Sequence, residues 1–215
     1  ADRSTWRLVK ALLSFDSIDS STILEGLPAS TPDGTVPANF SHSGAYSTAL
    51  DRVLVPLYAT SATYGALYDL DGRLQSPIVR LGSLPPYYDR VAAIPGGFAY
   101  AVSSLDTSGT LCFTYEVGTV DATGSVSGPN PVAGFFGHSA AAFWNDGEFV
   151  VVDFPACAVG GTLQWRSIAL DGSVGRAIPL VSFDPPLGTT PRWSFQAEPT
   201  GGEVGFAIYE GLSDG

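Results

Sequence analysis

The chain has 215 residues, of which 45% are apolar and only 14% are charged, and its formal net charge is −11. This composition is typical of a folded globular protein and excludes an intrinsically disordered one. The acidic balance argues against nucleic-acid binding and against docking on anionic lipid, because both need a basic surface. The 25 glycines and 16 prolines favour many short strands joined by turns.

The N-terminus and the cysteines carry information about the cellular location of the protein. The chain contains no methionine, and Ala1-Asp2 looks like a start left by signal-peptide removal, although a fragment would look the same. We therefore expect an extracellular or periplasmic protein. Cys112 and Cys157 are either two buried thiols or one disulfide, and secretion favours the disulfide. No apolar run approaches the ~20 residues that span a bilayer.

The N-terminal segment allows two interpretations. Residues Trp6–Ala11 are similar to Trp165–Leu170, which has the pattern of a β-strand, so the first interpretation is a strand with a following edge strand at Ile23–Leu27. In the second, Arg7–Phe15 is a short helix, because apolar side chains recur in it at helical spacing. Pro32-Asp33-Gly34 then predicts a turn that leads into the first full repeat.

From about residue 40 onward, one pattern recurs roughly every 50 residues. Each repeat begins with a strand of small residues. An apolar run follows, and its continuous character predicts a strand buried on both faces. The small strands are Gly44–Thr48, Val91–Ile94, Ser139–Phe143 and Ser194–Ala197, and the apolar runs are Val53–Tyr58, Phe98–Val102, Phe149–Val152 and Val204–Tyr209.

The second half of each repeat is a third strand, a tight turn of the Asp-Gly type and a strand that contains proline. The turn glycine can take positive φ, which such a turn requires. Proline lacks the N–H of a sheet ladder, so the last strand should lie at a sheet edge. The turns end at Gly72, Gly124 and Gly172, and the proline-bearing strands are Ser76–Val79, Pro129–Val132 and Ala177–Leu180.

Each repeat is thus a four-stranded antiparallel meander with two apolar faces, which it cannot cover alone. In this it resembles the blade of a β-propeller, a fold in which neighbouring blades cover each other's faces. No kelch or WD signature is present. The resemblance implies an all-β, single-domain propeller of about four blades, spanning residues 40–86, 87–135, 136–189, and 190–215 completed by 1–39. The alternative is a piece of a larger propeller.

In propellers, ligands usually meet the mouth of the channel, where the first strand of each blade begins. The residues at those positions are His42, Asp89 with Arg90, His138, and Arg192 with Trp193. His42, Asp89 and His138 form a chemically sensible set for a divalent cation. Alternatively, Arg192 could bind an anionic or sugar ligand with Trp193 as a stacking face. Each of these side chains could instead form hydrogen bonds with exposed backbone groups where a strand begins.

Other signals of chemistry are weak. Asp89, Asp106 and Asp153 could supply paired carboxylates for glycoside chemistry, but we expect Asp106 and Asp153 to be solvated loop acids. No Gly-x-Ser-x-Gly elbow and no helix-opening glycine loop is present. Several aromatic residues precede the first strands and predict either packing between blades or a sugar-stacking rim. They are Tyr87, Tyr88, Phe135, Phe136 and Trp193.

These features favour a secreted binding or scaffold module that engages a glycan or protein ligand at the channel mouth over an enzyme. The second hypothesis is an extracellular hydrolase or lyase with a cation held by the His/Asp ring. The third is a structural subunit of a larger extracellular assembly, with a partner chain or a second copy. The sequence itself does not identify the ligand.

Overall fold

The computed structural model describes residues 7–10, 20–23, 31–34, 39–40, 44–60, 62–83, 88–105, 112–134, 136, 141–154, 161–183, 192–200 and 203–211. Within these ranges every regular element is a β-strand, and no helix is long and apolar enough to cross a membrane. The strands are β1 Arg7–Lys10, β2 Ser20–Ile23, β3 Asn39–Phe40, β4 Ala45–Ser47, β5 Arg52–Tyr58, β6 Thr63–Asp69, β7 Val79–Gly82, β8 Tyr88–Ile94, β9 Gly97–Leu105, β10 Phe113–Asp121, β11 Val126–Pro131, β12 Ala141–Asn145, β13 Glu148–Asp153, β14 Gly161–Ile168, β15 Ile178–Phe183, β16 Arg192–Thr200 and β17 Glu203–Gly211.

Three sheets follow the predicted repeats in chain order. The first is β3-β5-β6-β7, with β4 also paired to β5, so that β3 and β4 act as two segments of one first strand. The second sheet is β8-β9-β10-β11 and the third is β12-β13-β14-β15. Each is an antiparallel meander. In the second and third sheets the edge strands β11 and β15 contain proline, as predicted, whereas in the first sheet the edge strand β7 contains none and Pro56 lies in the inner strand β5. The predicted all-β, propeller-like fold of four-stranded sheets is therefore confirmed.

The chain divides into two compact units. One comprises residues 1–85, 91–99 and 119–127, and the other comprises 86–90, 100–118 and 128–215. The first sheet belongs to the first unit and the third sheet to the second unit, whereas the strands of the second sheet contribute to both. The single-domain, four-blade arrangement stays a prediction.

The two ends of the chain each form a hairpin. Arg7–Lys10 is a strand and not part of a helix, so the first of the two N-terminal interpretations is correct at these residues. Its partner strand begins at Ser20, earlier than predicted, because Ser20–Thr22 continue the ladder opposite Lys10–Leu8. The hairpin β16-β17 pairs Arg192 with Gly211 at its open end. The joining of these hairpins into one composite blade stays a prediction.

The predicted apolar runs at Val53–Tyr58, Phe98–Val102 and Phe149–Val152 form the cores of the three sheets. In β5, Val53, Leu54 and Leu57 are at most 4% exposed, so side chains on both faces of the strand are buried. One face of the first sheet packs Val53, Val55 and Leu57 against Tyr64 and other side chains of the same cluster. The third sheet has a comparable cluster around Phe143, Val150 and Val152. At ~25 cal/mol per Å² of apolar surface, these buried runs supply the main stabilisation of each sheet.

Three turns after the third strands share one geometry. In each, the turn glycine donates its N–H to the carbonyl three residues earlier, at 2.9–3.1 Å, and adopts a φ of 80–88°. In all three an aspartate carboxylate accepts a hydrogen bond from the turn backbone, and in the first turn Asp69 Oδ1 accepts one from Arg73 N at 2.9 Å. Asp121 Oδ1 accepts hydrogen bonds from Thr123 N at 2.8 Å and Ser125 N at 2.9 Å, and Asp171 Oδ1 accepts one from Ser173 N at 2.9 Å. The Asp-Gly signal in the sequence thus identified these turns.

Gly124 and Gly172 are buried because each packs against the chain of the preceding repeat. A Cβ built on Gly124 would lie 2.6 Å from Ser76 Cβ, and one built on Gly172 would lie 2.5 Å from Pro131 O. Asn130 Nδ2 also donates to Leu170 O at 2.7 Å. Real Cβ atoms do not approach other atoms this closely, so these contacts require glycine in addition to the positive φ.

Cys112 is one of the buried residues of the core. It is buried, with 5% of its surface exposed, and is disulfide-bonded. Cys157, the other cysteine of the sequence, lies outside the described residues.

We predict that Gly172→Ala destabilises the protein more than Gly147→Ala. Both glycines have positive φ, of 88° and 99°, so alanine costs about 1–2 kcal/mol at either position. Only Gly172 is packed against backbone, whereas nothing lies within 4 Å of the Gly147 position, so a further ~1–3 kcal/mol of overpacking is expected at Gly172 alone. Urea unfolding of the two variants measures the difference, and equal losses would contradict the packing role.

We also predict an acid-sensitive contribution from Asp121. The hydrogen bonds from Thr123 and from the turn backbone lower the pKa of this carboxyl group below its ordinary value. A lowered folded-state pKa gives stability that is present above the unfolded-state pKa, about 3.9, and is lost as the pH falls through the folded-state pKa. Asp121→Ala should therefore lower the Tm at pH 7 and have little effect near pH 2, measured by circular dichroism. Glu148→Ala, which removes an exposed carboxylate outside such a turn, is the control.

Candidate functional site

The predicted site lies where the first strand of each sheet begins, which we call the site edge. In the third sheet the register pairs Ala141 with Val152, so the start of β12 lies beside the end of β13. The same edge of the second sheet begins with Tyr88, Asp89 and Arg90 in β8. The site edge therefore brings together first-strand starts and second-strand ends, as the repeat pattern predicts.

Asp89 and Arg90 are the two predicted site residues whose side chains the structure describes. Asp89 is 4% exposed, and Arg90 is exposed. The Arg90 guanidinium donates from Nε to Ala142 O at 2.9 Å and from Nη1 to Asp89 O at 2.8 Å. Arg90 thus ties the start of β8 to β12, and these two hydrogen bonds fix its guanidinium at the site edge.

The other predicted site residues are only partly described. His42 and His138 lie outside the described residues. Arg192 and Trp193 are the first residues of β16, opposite Gly211 and Glu210, but their side chains are not described. No group of three His, Cys, Asp or Glu side chains within the described ranges could hold a metal. The cation set of His42, Asp89 and His138 has only Asp89 within these ranges, so it stays a prediction.

Asp153 differs from the expectation of a solvated loop acid. It is the last residue of β13, its side chain is 0% exposed, and it forms an ion pair with Arg166. Gln164 Nε2 also donates to its carboxylate, at 3.4 Å. The reason lies in the register, which pairs Asp153 directly with Gln164 and places Arg166 two residues along β14 on the same face.

The Arg166 side chain extends this ion pair toward the second sheet. Its guanidinium lies over the Phe136 ring, 4.0 Å from the centroid, and Tyr115 of β10 meets the same ring edge-on at 4.9 Å. Phe136 is fully buried and exchanges two backbone hydrogen bonds with Phe113, each of 2.8 Å. Of the aromatic residues predicted to be either packing or a sugar-stacking rim, Phe136 is therefore packing, whereas Tyr87 and Phe135 lie outside the described residues.

Sequence reasoning did not identify Arg166. The available signal was a charged residue in the middle of a third strand, on the same alternating face as Gln164. An arginine at such a position in a half-buried strand indicates a partner acid on the neighbouring strand.

A second polar cluster anchors the predicted turn at Pro32–Gly34. Thr31 is 4% exposed and donates its hydroxyl to Asp33, and the Asp33 carboxylate also accepts a hydrogen bond from Tyr64 in β6. Burial, and then the hydrogen bond to Asp33, raise the pKa of Tyr64. This cluster fixes the chain where it leads into the first sheet, and its groups serve the fold.

No protein-family model matches the sequence, and no curated protein is significantly similar to it. Two solved structures show a distant similarity of fold. One is a GH43_1 enzyme from Xanthomonas citri, with 10% identity, a TM-score of 0.41 and coverage of 68% of this chain and 58% of that one. The other is the Synechocystis apocarotenoid oxygenase, with 14% identity, a TM-score of 0.39 and coverage of 74% and 40%. The chain thus spans less than two thirds of the length of either protein.

We predict that Arg166→Met destabilises the protein by about 3–5 kcal/mol, because the buried Asp153 carboxylate then has no compensating cation. The double variant Arg166→Met/Asp153→Leu should recover most of this loss, since it removes both charges. Urea unfolding of Arg166→Met, of Asp153→Leu and of the double variant gives the coupling energy between the two side chains. As a control, Asp71→Ala breaks the exposed Arg73–Asp71 pair and should cost at most about 1 kcal/mol. Equal effects of the two broken pairs would contradict this prediction.

Proposed function

We propose that this chain is a secreted binding or scaffold module that recognises a ligand at the site edge of its sheets. Of the two ligand classes that the sequence favours, glycan and protein, the site edge supports a glycan with an acidic group. The observation that carries the proposal is that two first strands have an arginine and an aromatic residue among their first three positions. These are Tyr88 and Arg90 in β8, and Arg192 and Trp193 in β16.

This combination suits sugar recognition for two physical reasons. An arginine guanidinium forms charge-assisted, often bidentate hydrogen bonds with a carboxylate or sulfate group. Aromatic rings offer large rigid contact surfaces at low entropic cost. Arg90 is exposed, and its bonds to Asp89 and Ala142 hold the guanidinium in one place before a ligand arrives. Such preorganisation lowers the entropic cost of binding.

The environment of Asp153 supports binding over catalysis by this residue. General acid–base chemistry needs a carboxyl group that can exchange its proton with a substrate. Asp153 is instead buried and forms an ion pair with Arg166, so its carboxylate is not accessible to a substrate. An acid fixed in this way serves the packing of the sheet.

We predict that the protein binds acidic oligosaccharides and that Arg90→Ala weakens binding by roughly tenfold or more, since a charge-assisted hydrogen bond is lost. An array of neutral, uronic-acid and sulfated glycans identifies the ligand, and isothermal titration then gives the affinity. Arg176→Ala is the matched control, because Arg176 is exposed and follows the turn at the opposite end of β14. Equal effects of the two variants, or binding of neutral glycans alone, would contradict the assigned site.

The alternative function, a hydrolase or lyase with a cation held by His42, Asp89 and His138, makes a different prediction. It requires about one divalent metal per chain, lost in His42→Ala, and new products from the bound oligosaccharide. Metal analysis by plasma mass spectrometry and product analysis of the same samples separate the two functions. Under our proposal, glycan binding is unchanged by a chelator and the oligosaccharide is recovered intact.

A further inference from the structure

The turn between β12 and β13 differs from the other aspartate–glycine turns of the chain. Four Asp-Gly pairs lie within the described residues, at positions 33–34, 71–72, 146–147 and 171–172. In three of them the glycine donates its N–H to the carbonyl three residues earlier, at 2.9–3.1 Å. Gly147 makes no such bond, and within the described part of the chain its N–H has no hydrogen-bond partner.

Gly147 also has space to move. It is exposed, and nothing lies within 4 Å of the position that its Cβ would occupy, whereas the same position on Gly172 meets a backbone oxygen at 2.5 Å. Asp146 is exposed as well and adopts a φ of 42°, in the left-handed region that a residue with a side chain disfavours. The pair Asn145–Glu148 closes the turn at the end of its ladder, so the turn can open while the rest of β12 and β13 stays paired.

The Asp146 carboxylate is accessible too. In the other three pairs a neighbouring donor holds the aspartate carboxylate. These contacts are Tyr64 to Asp33, Arg73 to Asp71 at 3.5 Å, and Ser173 N to Asp171 at 2.9 Å. No described residue donates to the Asp146 carboxylate. The carboxyl carbon of Asp146 and the nitrogen of Gly147 are therefore the pair of groups that can approach each other with the least disturbance of the fold.

We propose that Asp146 is a modification site at which the chain converts spontaneously into isoaspartate. The Gly147 nitrogen attacks the side-chain carboxyl carbon of Asp146 and forms a C–N bond, while the nitrogen proton and the carboxyl hydroxyl group leave as water. The product is a cyclic succinimide, and glycine favours it because no side chain hinders the nitrogen. Water then opens the ring. Cleavage at the side-chain carbonyl regenerates aspartate, and cleavage at the main-chain carbonyl gives isoaspartate, so the reaction needs no reagent except water.

The modified turn lies at the end of the third sheet opposite the site edge. Ala141 pairs with Val152 at one end of the β12–β13 ladder, and Asn145 pairs with Glu148 at the other. Isoaspartate adds one methylene group to the backbone of the turn and exposes a new α-carboxylate, so the charge of the residue is kept. The modification and the proposed ligand binding therefore stand or fall separately.

The rate at each pair is measured by incubating the full, folded chain at neutral pH in water enriched in the heavy isotope of oxygen. Every succinimide that hydrolyses during the incubation takes up one heavy oxygen atom, and mass spectrometry of chymotryptic peptides assigns this label to one Asp-Gly pair. Label at Asp146 should appear at least roughly tenfold faster than at Asp171, where a local opening must come first. In urea the two rates should converge. Equal rates in the folded chain, or no label at Asp146, would overturn the proposal.

Two variants test the assignment with a second measurement. Isoaspartate is detected in the peptide 145–149 of aged protein, because an isoaspartate methyltransferase esterifies the new α-carboxylate. The peptide from the wild type and from the control Asp71→Glu should accept methyl groups equally. The peptide from Asp146→Glu should not, because glutamate keeps the charge but would have to form a larger ring. If it accepts methyl groups as the wild type does, the modified residue is Asn145 and the proposal fails. Circular dichroism checks that both variants are folded.

Discussion

The structure depends on one constraint: a four-stranded sheet with apolar side chains on both faces is stable only when both faces are covered. In β5 the consecutive residues Val53 and Leu54 point to opposite faces, and both are buried. The sheet therefore cannot stand alone in water. Small residues in the first strands, apolar runs in the second strands and the contacts between successive sheets are all consequences of this requirement. The polar groups at the site edge are organised on the same framework.

Polar side chains that could have served chemistry are used to join one strand to the next. Arg90 links β8 to β12, and Arg166 links Asp153 to Phe136 and thereby the third sheet to the outer part of the second. Arginine suits this role because its stem packs against apolar surface while its planar head forms directed bonds and stacks on rings. The two arginines are therefore held in place by the strands that they join.

The sequence predicted the features that are encoded locally. The run at Phe98–Val102 and the turns that end at Gly124 and Gly172 depend on residues close together in the chain, so their patterns were sufficient. The Asp153–Arg166 pair was not predictable in this way. Its partners are 13 residues apart on neighbouring strands, and a register shift of one residue would turn Arg166 to the opposite face. The burial of Asp153 follows from that register, whereas its predicted place in a loop between the second and third strands had suggested that its side chain is exposed to solvent.

The contacts of Gly124 and Gly172 with the preceding repeat both point the same way along the chain. Gly124 packs against Ser76 and Gly172 packs against Pro131, so in both cases a turn of the later repeat contacts the repeat before it. During synthesis, the residues that form each docking surface therefore emerge before the turn that packs against them.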